Sequence, residues 1–277
     1  QGMVCHETYK DKKNNWLNPE EIFSDNNKKF FVKNNPSEQV IVGPTESMSK
    51  SKKNTIDPEN IIKNYGADAV RLFILSDSPP EKDIQWSDQG MLASFKFLQR
   101  LWILNTKILK KIDLDEKTDE EENLTKFTNQ IINKITINLD KFHYNVIVAN
   151  LYEMYNFLTK ELDKPISKVI LASNYQKLLT VMIPFIPHFA NECLNFITKE
   201  EAKWPKVSTN QLIEDNVKFV VQINGKKRAL INVKRDIDEE TLLKEIQENN
   251  KETEKFLKNQ KIKKTIFVSN RLINIIL

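Results

Sequence analysis

The sequence predicts a multidomain, mainly α chain: a short region of strands and loops, then an α-helical bundle, then a small α+β unit. Three observations carry this. Between about 87 and 198 apolar residues recur at helical spacing. Near the C-terminus two alternating apolar runs flank Asn224-Gly225, the signature of a tight hairpin. Up to residue 56 the apolar runs are short and broken by Asn, Gly and Pro. A length of 277 residues allows about two domains, or three small ones.

Composition excludes several classes. With 40% apolar and 29% charged residues, the chain is too apolar for disorder. No apolar run approaches the ~18 residues needed to span a bilayer, and no charged-then-apolar leader opens the sequence. Cys5 and Cys193 lie far apart with no CxxC pair, which rules out a disulfide scaffold and a cysteine-based zinc site within this chain. A reducing, cytoplasmic setting is expected. Gln1-Gly2-Met3-Val4-Cys5 reads like the interior of an apolar segment, so we expect a fragment whose activity needs residues upstream.

The elements are read in order along the chain. Residues 10–38 are polar and Asn-rich, a loop-rich insertion with a short strand at Phe30-Phe31-Val32. Val40-Ile41-Val42 is a second strand, closed by Gly43-Pro44. Residues 47–54 have no apolar period and read as a mobile surface loop. Asp57-Pro58-Glu59 starts a helix with a cap, a first-position proline and a dipole-matched acid. Ile61, Ile62 and Tyr65 share its face, and Gly66 ends it. A helix from Asp68 carries Val70, Phe73 and Ile74 and stops at Ser78-Pro79-Pro80.

From Ser87 the helices lengthen. Met91, Phe95, Leu98, Leu101, Trp102, Ile103 and Leu109 mark the first, with Trp102 expected in the core. An acidic hinge spans Asp113 to Glu122. Helical periodicity returns over about 123–140, 144–163, 166–183 and 187–198, with Pro165, Pro184 and Pro187 at the joints, an antiparallel bundle. Trp204-Pro205 and Ser208-Thr209-Asn210 form a linker. The hairpin pairs Val217, Phe219, Val221 and Ile223 with Ala229, Ile231 and Val233. A helix over Asp238–Glu248, another over Lys251–Leu257, and strands at Ile262–Val268 and Leu272–Ile276 complete an α+β unit. The expected domains are 1–56, a connecting helical segment 57–86, a bundle 87–203, a linker 204–216 and a C-terminal unit 217–277.

Net charge is +4, and residues 201–277 alone hold 16 basic and 11 acidic residues. Most of the excess therefore lies at the C-terminus, where contact with a polyanion is plausible. Lys and Asn richness tempers that reading, since only five of the basic residues are arginine.

The loop at 47–54 carries the chemistry. Phosphoryl and adenylyl transfer need cations that move with a triphosphate, and a flexible loop delivers ammonium groups beside hydrogen-bonding hydroxyls. Met48-Ser49-Lys50-Ser51, with Lys52-Lys53-Asn54 and a capped helix after it, meets that need. Taken alone, a solvated lysine loop explains the same residues.

The wider pattern resembles a known family. Met48-Ser49-Lys50-Ser51 is similar to the KMSKS signature of class I aminoacyl-tRNA synthetases. Asp57-Pro58 and Tyr65-Gly66-Ala67-Asp68-Ala69-Val70-Arg71 resemble the subgroup for hydrophobic amino acids. Pro79-Pro80-Glu81-Lys82-Asp83, Trp86-Ser87, Phe97-Leu98-Gln99-Arg100-Leu101-Trp102, Gln1-Gly2-Met3-Val4 and Val221-Gln222-Ile223-Asn224-Gly225-Lys226-Lys227-Arg228-Ala229 resemble the leucyl-tRNA synthetase family over essentially the whole chain. The resemblance implies the C-terminal remnant of an α/β class I catalytic domain, an anticodon-binding-type bundle and a C-terminal tRNA-binding domain. The chain departs from the family at two points. Ser47 stands where the signature usually has lysine, and no HIGH-type tetrapeptide occurs, so the nucleotide-binding half, leucine pocket and editing domain are absent from this chain.

The resemblance also implies an activity and the residues that serve it. The parent enzyme would activate leucine with ATP and Mg2+ and load it onto tRNA(Leu), acting as a monomer. On the same ground Lys50 is assigned as the catalytic residue, and Met48, Ser49, Lys50 and Ser51 as the ATP-binding loop. Arg100, Lys226, Lys227 and Arg228 are the candidates for tRNA contact. The residues themselves leave alternatives. Asp68 and Arg71 fit local capping and an ion pair; His143 and His188 fit core or cap roles. His6 beside Cys5 lacks further ligands for a metal. A stand-alone RNA-binding module, and a related synthetase for isoleucine, valine or methionine, remain the rival readings.

Overall fold

The computed structural model describes residues 2–25, 29–114, 122–212, 216–249, 251–258 and 260–277. The chain divides into two compact units, Gln1–Ser208 and Thr209–Leu277. The acidic hinge expected over Asp113–Glu122 falls almost wholly outside the described residues.

The first unit opens with β1 (Val4–Lys10), β2 (Trp16–Leu17), a 3-10 turn at Pro19–Glu21, β3 (Ile22–Ser24), β4 (Phe30–Val32), β5 (Asn35–Gln39) and β6 (Ile41–Ser47). Two helices come next, α1 (Pro58–Tyr65) and α2 (Ala67–Ser76), then β7 (Ile84–Gln85). β6 runs antiparallel along one edge of β1, while β2 and the parallel β7 share its other edge. β3, β4 and β5 form a separate small antiparallel sheet within the polar insertion.

The strand expected to stop at Gly43-Pro44 instead continues to Ser47. The reason lies in the β1–β6 register, which shifts between Glu7 and Tyr9. That irregularity lets proline enter the strand without forfeiting a ladder donor, and the Thr8 hydroxyl donates to the Pro44 carbonyl, 3.1 Å. β6 therefore delivers the chain directly into the lysine loop. Gly2 has its own constraint: a Cβ there would collide with the Lys82 carbonyl, so glycine lets the start of the chain lie against the segment before β7.

α1 begins as its sequence dictates, with the Asp57 carboxylate accepting the Glu59 N–H at 3.0 Å and Pro58 in the first turn. Gly66, at φ +81°, turns the chain from α1 into α2, a left-handed region that favours glycine.

The bundle consists of α3 (Asp88–Leu114), α4 (Glu122–Asp140), α5 (Tyr144–Glu161), α6 (Lys168–Met182) and α7 (Pro187–Asn195). One apolar cluster runs through all five and includes Leu72 of α2. Along α3 the buried positions are Met91, Ser94, Phe97, Leu101, Leu104, Asn105 and Ile108, a regular helical stripe. Trp102 is one residue off that stripe and 44% exposed, so the core role expected for it is wrong. Its ring instead lies edge-on to Phe189 and Phe196 of the α7 region. The segment read as a linker begins docked to the bundle. The Trp204 indole N–H donates to the Thr136 hydroxyl at 3.0 Å, and the Ser208 N–H to the Asn129 side-chain oxygen at 2.9 Å.

The second unit holds β8 (Asn216–Ile223), β9 (Lys226–Lys234), α8 (Glu239–Asn249), α9 (Lys251–Leu257), β10 (Lys264–Val268) and β11 (Leu272–Ile276). The sheet order is β10-β11-β8-β9, with β11 parallel to β8. Asn224 (φ +49°) and Gly225 (φ +76°) make the tight turn. Phe219, Val221, Ile273 and Ile275 form its core with Leu242 and Ile246. The α8 start is capped by Asp238, which accepts from the Thr241 N–H and hydroxyl. These bonds hold its carboxyl below the usual range.

Candidate functional site

The lysine loop is a short projection on a fixed neck. Met48 begins it with its N–H donating to the Val4 carbonyl at 3.2 Å. Its side chain packs on the cluster of Ala69, Phe73, Ile84, Trp86 and Met91, so the methionine of the motif anchors the loop. Lys50–Lys53 is a turn, with the Lys53 N–H on the Lys50 carbonyl at 3.3 Å. Lys53 takes φ +53°. The Ser49 hydroxyl accepts the Lys52 N–H and lies 3.3 Å from the Ser51 hydroxyl, which gives both serines a loop-shaping contact.

The three lysines differ in their surroundings. Lys52 is half-buried and ion-paired with Glu46. Lys50 and Lys53 are exposed, and Lys50 is in no ion pair among the described residues. Lys50 faces an open cleft of about 480 Å³ shared with Asn18, Glu20, Thr55 and Asp57. Ser47, the position usually lysine in the signature, is exposed at the end of β6 and opposite Cys5 in register. Such an arrangement can present the exposed ammonium groups of Lys50 and Lys53 and two hydroxyls to a polyanion.

Sequence reasoning assigned no role to two residues here, Glu46 and Asn54. Asn54 is fully buried and takes part in the neck on both sides of the turn. Its only sequence signal was an amide placed directly after the lysines and before a capped helix.

Asp68 and Arg71, expected to act locally, act across the unit. The Asp68 carboxylate accepts the Phe189 N–H at 2.7 Å and the His188 N–H at 3.4 Å, and meets His188 Nδ1 at 2.9 Å. It thus caps the start of α7 from another helix. Arg71 donates to the Phe185 carbonyl at 3.0 Å and the Pro184 carbonyl at 2.5 Å. The sequence could show neither contact, since each pairs residues more than 110 positions apart. Of the two histidines expected in core or cap roles, neither lies in the core, and His143 occupies the N-cap position of α5, its carbonyl accepting the Ile147 N–H at 3.1 Å. The His188 side chain is 76% exposed beside Asp68, and His143 is exposed at the head of α5 with no side-chain capping bond. His6 is buried with Nδ1 3.0 Å from the Glu7 carbonyl. Among the described residues no group of three His, Cys, Asp or Glu could hold a metal ion.

The candidates for RNA contact lie in both units. Arg100 is exposed on α3 and lines a small cleft with Lys107, Tyr155 and Asp163. Burial holds the nearby Tyr152 phenol above its ordinary pKa, against the pull of Arg100. Lys226 and Lys227 are exposed beside the hairpin turn. Arg228 is not a free cation. It is the extra residue where the β8–β9 register shifts, its guanidinium lies 4.1 Å from the centre of the Phe256 ring, and its Nε is buried without a hydrogen bond.

The chain is similar to known proteins over most of its length. Residues 32–87 match the family described as tRNA synthetases class I (I, L, M and V), and residues 121–243 match the anticodon-binding domain of tRNA ligase. A leucine–tRNA ligase of Orientia tsutsugamushi (strain Boryong) is 37% identical over 100% of this chain and 33% of its own length. One from Wolbachia pipientis subsp. Culex pipiens is 36% identical, with the same shares covered. Among solved structures, the ternary complex of an Agrobacterium radiobacter K84 LeuRS with tRNA and LeuAMS aligns with a TM-score of 0.68 and 26% identity, over 83% of this chain and 31% of that one. The chain therefore spans about a third of the length of the curated relatives it matches.

Proposed function

We propose that this chain, which belongs to the leucyl-tRNA synthetase family of class I aminoacyl-tRNA synthetases, forms the phosphate-contacting loop and the RNA-contacting part of a longer leucine–tRNA ligase. In the first step the leucine carboxylate attacks the α-phosphorus of ATP, giving leucyl-adenylate and releasing pyrophosphate. In the second, a ribose hydroxyl at the tRNA 3′ end attacks the adenylate carbonyl and releases AMP. Lys50 opposes the charge that builds on the departing pyrophosphate, an interaction stronger in the transition state than in the ground state. Ser49 and Ser51 hold the turn and offer hydroxyls to phosphate oxygens. Mg2+ would arrive with ATP as part of the substrate, and residues outside this chain would complete that site.

The single observation that supports this reading most is the exposed Lys50 at the tip of a turn whose neck is fixed to the sheet. A stand-alone RNA-binding module has no use for that construction. The bundle over 87–203 then takes the anticodon-binding role, with Arg100 on the RNA backbone. The unit over 217–277 touches the outer corner of the L-shaped tRNA through Lys226 and Lys227, with Arg228 shaping the strand beneath them. Lysine contacts of this kind position RNA without reading bases. A monomer in the cytoplasm completes the proposal; no described helix is long and apolar enough to cross a membrane.

The test is ATP–pyrophosphate exchange by the full-length protein that carries this chain, run with leucine, isoleucine, valine and methionine in turn. Leucine-dependent exchange is expected to dominate. Exchange driven by one of the other three, and not by leucine, overturns the assignment.

A further inference from the structure

We propose that Asn54 is the positioning residue that holds the Lys50 turn in register with the sheet. The inference rests on the reading of Lys50 given above and adds the device that aims it. Asn54 closes the neck: its side-chain oxygen accepts the Ser49 N–H at 2.8 Å, from the opposite side of the turn. Its amide nitrogen lies 3.3 Å from the His6 carbonyl, 3.3 Å from the Glu46 carbonyl and 3.5 Å from the Ser47 carbonyl. One fully buried side chain thus ties the turn to β1 and to the end of β6.

The orientation of that amide is fixed by chemistry. Reversed, it would set its oxygen against three carbonyl oxygens and its nitrogen against an N–H, losing every bond. Only a side chain with an acceptor on one arm and a donor on the other satisfies both edges. Aspartate has the same shape but presents an oxygen to the three carbonyls, and alanine presents nothing. Both leave buried backbone groups unpartnered. The turn beyond the neck is then free to pivot, and the ammonium of Lys50 loses its fixed approach to a phosphate. A displacement of about 1 Å at such a group costs on the order of 100-fold in rate.

Two measurements on Asn54→Ala and Asn54→Asp test this. In the 277-residue chain, amide hydrogen exchange at Ser49, Lys52 and Lys53 should quicken at least tenfold in both variants, with β1 and β6 amides unchanged. In the full-length protein, both variants should lower kcat for leucine-dependent ATP–pyrophosphate exchange by at least tenfold and leave the leucine KM unchanged. Unaltered loop amides, or protection lost equally through β1 and β6, would overturn the proposal. So would normal exchange kinetics in these variants while Lys50→Ala is impaired, which leaves the phosphate reading standing. If Lys50→Ala is also normal, the phosphate reading itself fails and this proposal falls with it.

Discussion

Replacing Asp68 with alanine should destabilise the first unit by about 2–3 kcal/mol. The side chain is 6% exposed and caps α7 through the Phe189 and His188 N–H groups. Loss of an N-cap acceptor costs about 1 kcal/mol, with a range of roughly 0.5–2. Leaving the Phe189 N–H buried without a partner adds a cost of the same order. Removal of a carboxylate from a helix N-terminus contributes a further few tenths to about 1 kcal/mol. These overlap, so the total sits below their sum. His188→Ala should cost well under 1 kcal/mol, because its ring is 76% exposed and solvent screens its pairing with Asp68. The assay is urea unfolding monitored by tryptophan fluorescence. Trp16, Trp86, Trp102 and Trp204 all lie in the first unit, so the signal reports that unit alone. A change under about 0.5 kcal/mol for Asp68→Ala would refute the reasoning, since the surveyed cost of losing a cap alone exceeds it.

The same contacts lead to other expected outcomes. Lys226→Ala with Lys227→Ala should weaken tRNA binding and flatten its salt dependence by ~0.7 log units of slope per lost contact, on the single-strand scale; a salt titration of tRNA affinity checks this, and an unchanged slope assigns both lysines to solvent. Arg228→Ala should loosen the second unit by about 1–2 kcal/mol through lost stacking on Phe256, read as faster amide exchange along β8 and β9. Burial pushes the Cys193 thiol up to about 12 from an ordinary 9.0. Between those values the unfolded chain releases the proton and the native chain keeps it, so stability falls as pH rises through that window. Between about pH 8 and 10.5, unfolding free energy from urea titrations should therefore drop by on the order of 1–2 kcal/mol more in the native sequence than in Cys193→Ala; equal drops would remove the thiol from the alkaline response. This chain alone should give no leucine-dependent ATP–pyrophosphate exchange, and measurable exchange would show that the nucleotide site needs nothing outside it.

Local signals in the sequence carried far. Asp57-Pro58 at one helix start, Gly66 at the next junction and Asn224-Gly225 in the hairpin each do what their chemistry demands, because caps and tight turns are settled within a few residues. The bundle was legible from its apolar period, and the lysine loop from its lack of one. What stayed hidden was decided by distant partners. Trp102 has the composition of a core residue, yet a phase error of one position on α3 put it outside the buried stripe. Asp68 looked like a cap for its own helix, but the helix it caps begins 119 residues later in sequence. Arg228 read as one of three equivalent cations until the register shift turned it toward Phe256. Asn54 was invisible as a functional residue because its four partners come from two strands and the far side of a turn.

The central claim is that Lys50 works on the phosphates of ATP. Its most direct test is the rate of leucine-dependent ATP–pyrophosphate exchange by the full-length protein with Lys50→Ala. The account predicts a loss of about 2–4 kcal/mol in the activation step, roughly 30- to 1000-fold in rate, with the leucine KM little changed. A rate within about twofold of the native protein, well under 1 kcal/mol, would contradict it.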